Sequence, residues 1–157
     1  MENSNPVATL MASTTKLIKT RFAALSDASH YRSIVGALQY ATITRPEICN
    51  AVNKVCQFMA HPLESHWLAI KRILRYLKGT ITSGLLFTPA STVLFSLQAY
   101  CDADWAADPD DRRSTSRSVV YLGSNLISWW SKKQTVVARS SAEAEYRSLA
   151  HTDRSTV

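Results

Sequence analysis

The sequence predicts an α/β chain in two parts, a helical segment followed by a smaller piece made of strands and one helix. Three observations predict it. Apolar residues recur at three- and four-residue steps between Tyr31 and Leu77. The pattern then changes to short apolar runs and alternation between Gly84 and Trp130. A second helical pattern opens at Ser140 or Ser141 and runs toward Val157.

Residues 1–28 show no strong periodicity and many small polar residues, so a flexible leader is expected there. Within it, residues 1–25 carry Ser, Thr, Lys and Arg but a single acid, Glu2, a composition shared by organelle transit peptides and polar linkers. From Ser29, Tyr31, Ile34, Val35, Leu38 and Ala41 form the first helical stripe. Thr44 and Glu47 have capping-box spacing with Pro46 in the first turn, which predicts the start of a second helix. Its stripe is Ile48, Val52, Val55, Cys56 and Met59, and His61-Pro62 breaks it. A third helix has Trp67, Ile70, Ile73, Leu74 and Leu77 inward and Gly79 as terminator. Lys71, Arg75 and Lys78 share one of its faces, suited either to phosphates or to solvent.

Gly84–Thr88, Val93–Cys101, Ser118–Leu122 and Leu126–Trp130 are expected strands, with Gly123-Ser124-Asn125 as a hairpin connection. Thr135–Ala138 is expected to be a short edge-like segment. Trp129 and Trp130 face opposite ways if they lie in a strand, so only one of them can be exposed.

The net charge of +6 is unevenly placed. Residues 1–92 hold ten Lys/Arg and four Asp/Glu, whereas 93–157 hold eight of each. A basic half beside an acid-rich half suits a polyanion held near a metal, and equally an ordinary solvated surface. Lys132, Lys133 and Arg139 are further candidates for phosphate contact. Three cysteines, with no Cys-x-x-Cys spacing, read as thiols of a reducing, intracellular compartment, cytoplasmic or nuclear. No apolar stretch approaches the ~20 residues of a membrane span.

Two carboxylates carry the candidate chemistry. Asp102 closes an apolar run, and Glu145 sits in the first turns of the last helix. Acids on two rigid elements suit a hard divalent cation. Ser140 and Glu143 have capping-box spacing, which gives Glu143 a structural role. With Ala142, Tyr146 and Leu149 as the apolar stripe, Glu145 lies nearer the buried face than Glu143 does. Asp108, Asp110 and Asp111 flank Pro109 and are expected turn residues, while Asp104 is a possible assistant to Asp102. His61 and His66 have a zinc-compatible gap but no cysteine pair before them.

Several segments resemble the C-terminal part of copia-type retrotransposon Pol polyproteins. Tyr31-Arg32-Ser33-Ile34-Val35-Gly36-Ala37-Leu38-Gln39-Tyr40, Thr42–Ile48 and Ile73–Thr80 resemble the connection that follows the polymerase palm. Asp102-Ala103-Asp104-Trp105-Ala106, Arg112–Ser116, Ile127-Ser128-Trp129 and Ala138–Tyr146 resemble the family's ribonuclease H domain. The resemblance implies a leader over 1–28, a helical reverse transcriptase connection region over 29–92, and a partial ribonuclease H-like fold over 93–157. It implies hydrolysis of RNA in RNA–DNA hybrids by two Mg²⁺ ions (Mn²⁺ is an alternative) about 4 Å apart. Asp102 matches the first catalytic and metal-binding acid and Glu145 the second.

The departures are equally specific. Arg117 and Ser118 stand where the family motif has glycine and an aromatic residue, and Trp130 replaces a small polar residue. The third and fourth acids of the family site, and the polymerase aspartates, have no counterpart in the 157 residues. The expectation is a truncated chain, inactive or nearly so, holding metal weakly or not at all. Binding of nucleic acid without cleavage, and self-association through an exposed strand edge, are the rival expectations.

Overall fold

The computed structural model describes residues 4–12, 17–20, 22–89 and 96–156. It divides into two units, Met1–Gly84 and Leu85–Val157.

In the first unit, α1 (Ala28–Ala41) begins where the Asp27 carboxylate accepts the His30 backbone N–H at 2.8 Å. Tyr31, Val35 and Leu38 are buried along it, as the stripe predicts. A 3₁₀ turn, Pro46–Ile48, leads into α2 (Cys49–Cys56), which buries Ala51, Val52 and Val55. The expected Thr44–Glu47 capping box does not form. The Thr44 hydroxyl bonds back to the Ala41 carbonyl, and Glu47 pairs with Arg45 at 2.6 Å. Arg45 also donates to the Thr80 carbonyl at 3.0 Å and its hydroxyl at 2.6 Å. A charged guanidinium is a stronger partner for Glu47 than a backbone N–H.

Helix α3 (Glu64–Gly79) buries Ile70 and Ile73, and Gly79 is its last residue rather than the residue beyond it. Its first turn is capped by a side chain from within. His66 Nδ1 accepts the Leu63 N–H at 3.0 Å, so Nε2 carries the proton and donates to the Ile18 carbonyl at 3.0 Å. The ring is fully buried and stacks on Phe58 with centroids 3.8 Å apart. His66 is thus a core residue with both nitrogens engaged. Tyr31, Val35, Ile48, Val52, Val55, Ile70 and Ile73 make the centre of this unit's core. Each fully buried aliphatic residue contributes about 1.5–3 kcal/mol. Leu17, from the expected leader, is also in this core, and Leu10 and Met11 pack against it.

The second unit is a three-stranded antiparallel sheet in the order β1 (Leu97–Asp104), β2 (Thr115–Leu122), β3 (Asn125–Lys133), backed by α4 (Ser141–Thr156). The β2–β3 turn is Gly123-Ser124, with Leu122 opposite Asn125 and Gly123 at φ +61°, a conformation glycine adopts without steric cost. Between Val120 and Tyr121 the register slips, so that Ile127 has no partner opposite.

Two expected extended segments are not strands. Gly84–Thr88 has no ladder partner among the described residues, and Leu86 and Phe87 are exposed. Its end is instead clasped to the hairpin turn. The Thr88 N–H donates to Asn125 Oδ1 at 2.8 Å, and Asn125 Nδ2 donates to the Thr88 carbonyl at 2.9 Å. Thr135–Ala138 is irregular, with Val136 and Val137 exposed and Ala138 buried. The first part of the expected Val93–Cys101 strand lies outside the described residues.

Alternation assigns the two faces of the sheet. Ala103, Ser116, Ser118 and Trp130 face α4, whereas Tyr100, Asp102, Asp104, Arg117 and Tyr121 face away. Trp130 meets His151 of α4 edge-on at 4.6 Å, and Gln134 Nε2 donates to both Ser116 Oγ and the Ala144 carbonyl at 2.9 Å. Trp129 and Trp130 do face opposite ways, and both are half-buried.

The face α4 presents corrects the expected one. Ala144, Ser148 and Thr152 are buried, while Tyr146 and Leu149 are exposed. Small side chains let the helix approach the strands closely, and its two buried hydroxyls find partners. Ser148 Oγ donates to the Asp102 carbonyl at 3.0 Å and Thr152 Oγ1 to the Ser148 carbonyl at 2.9 Å.

Candidate functional site

Asp102 lies inside β1, two residues before its end at Asp104, rather than just past a strand. The register sets it directly opposite Arg117 of β2. Directly opposed side chains share a face, and Asp104, two residues on, shares it too. The Arg117 guanidinium reaches both acids, with Nη1 3.4 Å from Asp102 Oδ2 and Nη2 3.1 Å from Asp104 Oδ2. Arg117 Nε is buried without a hydrogen-bond partner among the described residues, so the two Nη groups carry the contact. The Asp102 side chain is 62% exposed and that of Arg117 35%.

Glu145 is exposed on α4, between the buried Ala144 and Ser148. It is one helical turn before Ser148, whose hydroxyl touches the Asp102 backbone. The structure therefore brings the helix to the Asp102 backbone but pairs the Asp102 carboxylate with Arg117. Among the described residues, no three His, Cys, Asp or Glu side chains gather as they would to hold a metal ion. Arg117 lies against both carboxylates, where a divalent cation would need to gather several oxygen ligands.

Glu143 takes the capping role. Its backbone N–H donates to Ser140 Oγ at 3.1 Å, while its carboxylate accepts from the Arg139 N–H at 2.8 Å and from Arg147 at 2.7 Å. The Arg139 N–H, and after it the Arg147 hydrogen bond, hold this carboxyl below its ordinary range.

The acidic loop is a closed turn. Asp108 Oδ1 accepts from the backbone of Asp110 at 2.8 Å and Asp111 at 3.2 Å. Lys133 then joins it to the end of β3, 2.5 Å from Asp108 and 2.8 Å from Asp111. Burial works to raise the Asp111 carboxyl, but the hydrogen bonds from Lys133 and from the Arg113 backbone outweigh it and hold the group low.

The basic candidates are placed as follows. Arg75 Nε donates to the Asn5 carbonyl at 2.6 Å, and Lys78 Nζ to the Ser4 carbonyl at 3.2 Å. Arg72, one turn before Arg75, donates to the Thr9 carbonyl at 3.1 Å. Lys71 sits over the Trp67 ring, 5.6 Å from its centroid. Lys133 is committed to the acidic loop, whereas Lys132 and Arg139 are exposed. Sequence reasoning missed the role of Arg117 beside both aspartates. The chain gave no direct signal for it: Arg117 immediately precedes the expected strand Ser118–Leu122, whose expected partner is Leu126–Trp130.

Among the described residues, four α-helices with a three-stranded antiparallel sheet, one helix backing the strand that carries Asp102, make a mixed α/β chain with a partial ribonuclease H-like fold. Two Arabidopsis thaliana proteins are similar across almost the whole chain. Retrovirus-related Pol polyprotein from transposon RE2 is 51% identical and that from transposon RE1 is 53% identical, each over 97% of the chain. The chain belongs to this family, the retrovirus-related Pol polyproteins of copia-type transposons, and spans about 10% of the length of those two relatives. It is also 47% identical, over 81% of its length, to Secreted RxLR effector protein 161 of Plasmopara viticola, and it covers 89% of that protein. No protein-family model and no solved structure matches the chain.

Proposed function

We propose that this piece of a transposon Pol polyprotein descends from a module that hydrolyses RNA in RNA–DNA hybrids with divalent metal, and that the isolated chain does not catalyse that reaction. The observation that carries the second half is the Asp102–Arg117–Asp104 bridge: the acid that resembles the family's first metal ligand is spent on a guanidinium. Glu145, the second, lies exposed on α4 and does not complete a three-acid group with Asp102 and Asp104. The 51–53% identity to the transposon polyproteins supports the first half.

The test is a hybrid-cleavage assay with Mg²⁺ or Mn²⁺, run on the chain and on Asp102→Asn. No metal-dependent cleavage is expected from either. Cleavage by the parent that disappears in Asp102→Asn would overturn the inactivity. Retained hybrid binding is measured by gel shift. Binding that weakens steeply with salt is expected of a protein that neutralises phosphates. No shift even at low salt would end the hybrid as a partner.

One observation favours a second reading, pairing between copies. β1 is an edge strand whose far side has no partner strand among the described residues. Such an edge presents unpaired N–H and C=O groups to another chain. Sedimentation at rising concentration tests this; a monomer throughout excludes it.

A further inference from the structure

We propose that Arg117 acts as a built-in counter-cation that occupies the Asp102–Asp104 face of the sheet and keeps divalent metal off it. The inference rests on the ribonuclease-type reading above, since that reading makes Asp102 a metal ligand by descent.

Three features carry it. First, the register places Arg117 opposite Asp102 and one alternation from Asp104, so the contact is set by the ladder and not by a chance meeting of surface chains. Second, the guanidinium is a two-pronged donor, with one Nη on each carboxylate at 3.4 and 3.1 Å. Third, its neighbours Ser116 and Ser118 are buried on the opposite face, which fixes the strand from which Arg117 projects.

Charge then decides the competition. Two carboxylates and one guanidinium leave a single net negative charge on this face, where two would stand without Arg117. A divalent ion approaching within about 4 Å of the guanidinium meets a repulsion that corresponds, at the dielectric constant of water, to roughly a thirtyfold loss of affinity. Salt screens part of this, so a change of at least about tenfold is the measurable expectation. An ordinary surface ion pair would add little to stability and nothing to metal selectivity. Metal affinity is therefore the readout that separates the two roles.

The experiment follows Mn²⁺ broadening of backbone amide NMR signals of residues 100–106 and 115–119 in the full chain. The unaltered chain is expected to respond only at millimolar Mn²⁺, and Arg117→Ser at concentrations at least about tenfold lower. Adding Asp102→Asn to Arg117→Ser is expected to abolish that gain. Micromolar Mn²⁺ binding by the unaltered chain, or an unchanged affinity in a folded Arg117→Ser, would overturn the proposal. If Arg117→Ser does not fold, the unaltered chain still decides. Slowed rotation of the Arg117 guanidinium, lost in Asp102→Asn combined with Asp104→Asn, supports it, and free rotation sinks it. Hybrid binding by Arg117→Ser is measured in parallel. Metal gained without any hybrid binding upholds the role of Arg117 and counts against the ribonuclease reading instead.

Discussion

Glu143 and Glu145 are two positions apart on α4 and do different work. Glu143 is held below its ordinary range by the Arg139 N–H and by Arg147. A carboxyl whose folded value lies below its unfolded one stabilises the fold above the ordinary Glu range, about pH 4.3, and loses that contribution as pH falls through the folded value. The first turn of α4 is therefore expected to lose hydrogen-exchange protection as pH falls below about 4.3. Glu143→Gln is expected to show the same weakened protection already at neutral pH, with a flattened acid response. An acid response as steep in Glu143→Gln as in the parent would refute the assignment. Tyr31 is the corresponding residue in the helical unit. Its hydroxyl donates to the Val55 carbonyl at 2.8 Å, and burial pushes its pKa well up. Tyr31→Phe leaves that carbonyl without its donor and is expected to cost about 1 kcal/mol, read from the urea midpoint.

The acidic loop shows how an element is closed by charge. Lys133 (18% exposed) is shared between Asp108 (11% exposed) and Asp111. Lys133→Met strands two poorly hydrated carboxylates and is expected to destabilise the sheet unit by about 1–3 kcal/mol, with the loss recovered in part when Asp108→Asn is added. Equal and additive losses would mean the three side chains act independently. That Asp108, Asp110 and Asp111 form a turn was legible from Pro109 and the clustered acids. That Lys133 closes it was not, because the pairing depends on where β3 ends. The helical stripes of α1 and α3 were readable because a 3.6-residue period marks one face whatever the partner. Gly84–Thr88 and Thr135–Ala138 misled because an apolar run states that a segment can be extended, not that a neighbour is present to pair with it. The face of α4 misled for another reason: close approach of Ala144 and Ser148, with the hydroxyl satisfied by Asp102, outweighed burial of Tyr146 and Leu149.

At the scale of the molecule the two units differ in what holds them. The helical unit buries Ile48, Ile70, Ile73, Val35, Val52 and Val55 together. The sheet unit's core cluster is Ala103, Ala138 and Ala144, with serines and a tryptophan around it. Burial of apolar area scales with side-chain size, so the amides of β1–β3 are expected to exchange at a lower opening free energy than those of α1–α3. Ile73→Ala should remove about 2–5 kcal/mol from the helical unit. Exchange monitored by mass spectrometry reads both, and uniform opening across the chain would contradict a division into two units. Asp102 was legible as a candidate because a strand and a helix converge near it. Its companion was not, since only the register reveals that Arg117 faces it. Finally, the bonds from Arg75 to Asn5 and from Lys78 to Ser4 join residues 70 and 74 positions apart. During synthesis on a ribosome, these two bonds can form only after α3 has followed Ser4 and Asn5 out of the exit tunnel.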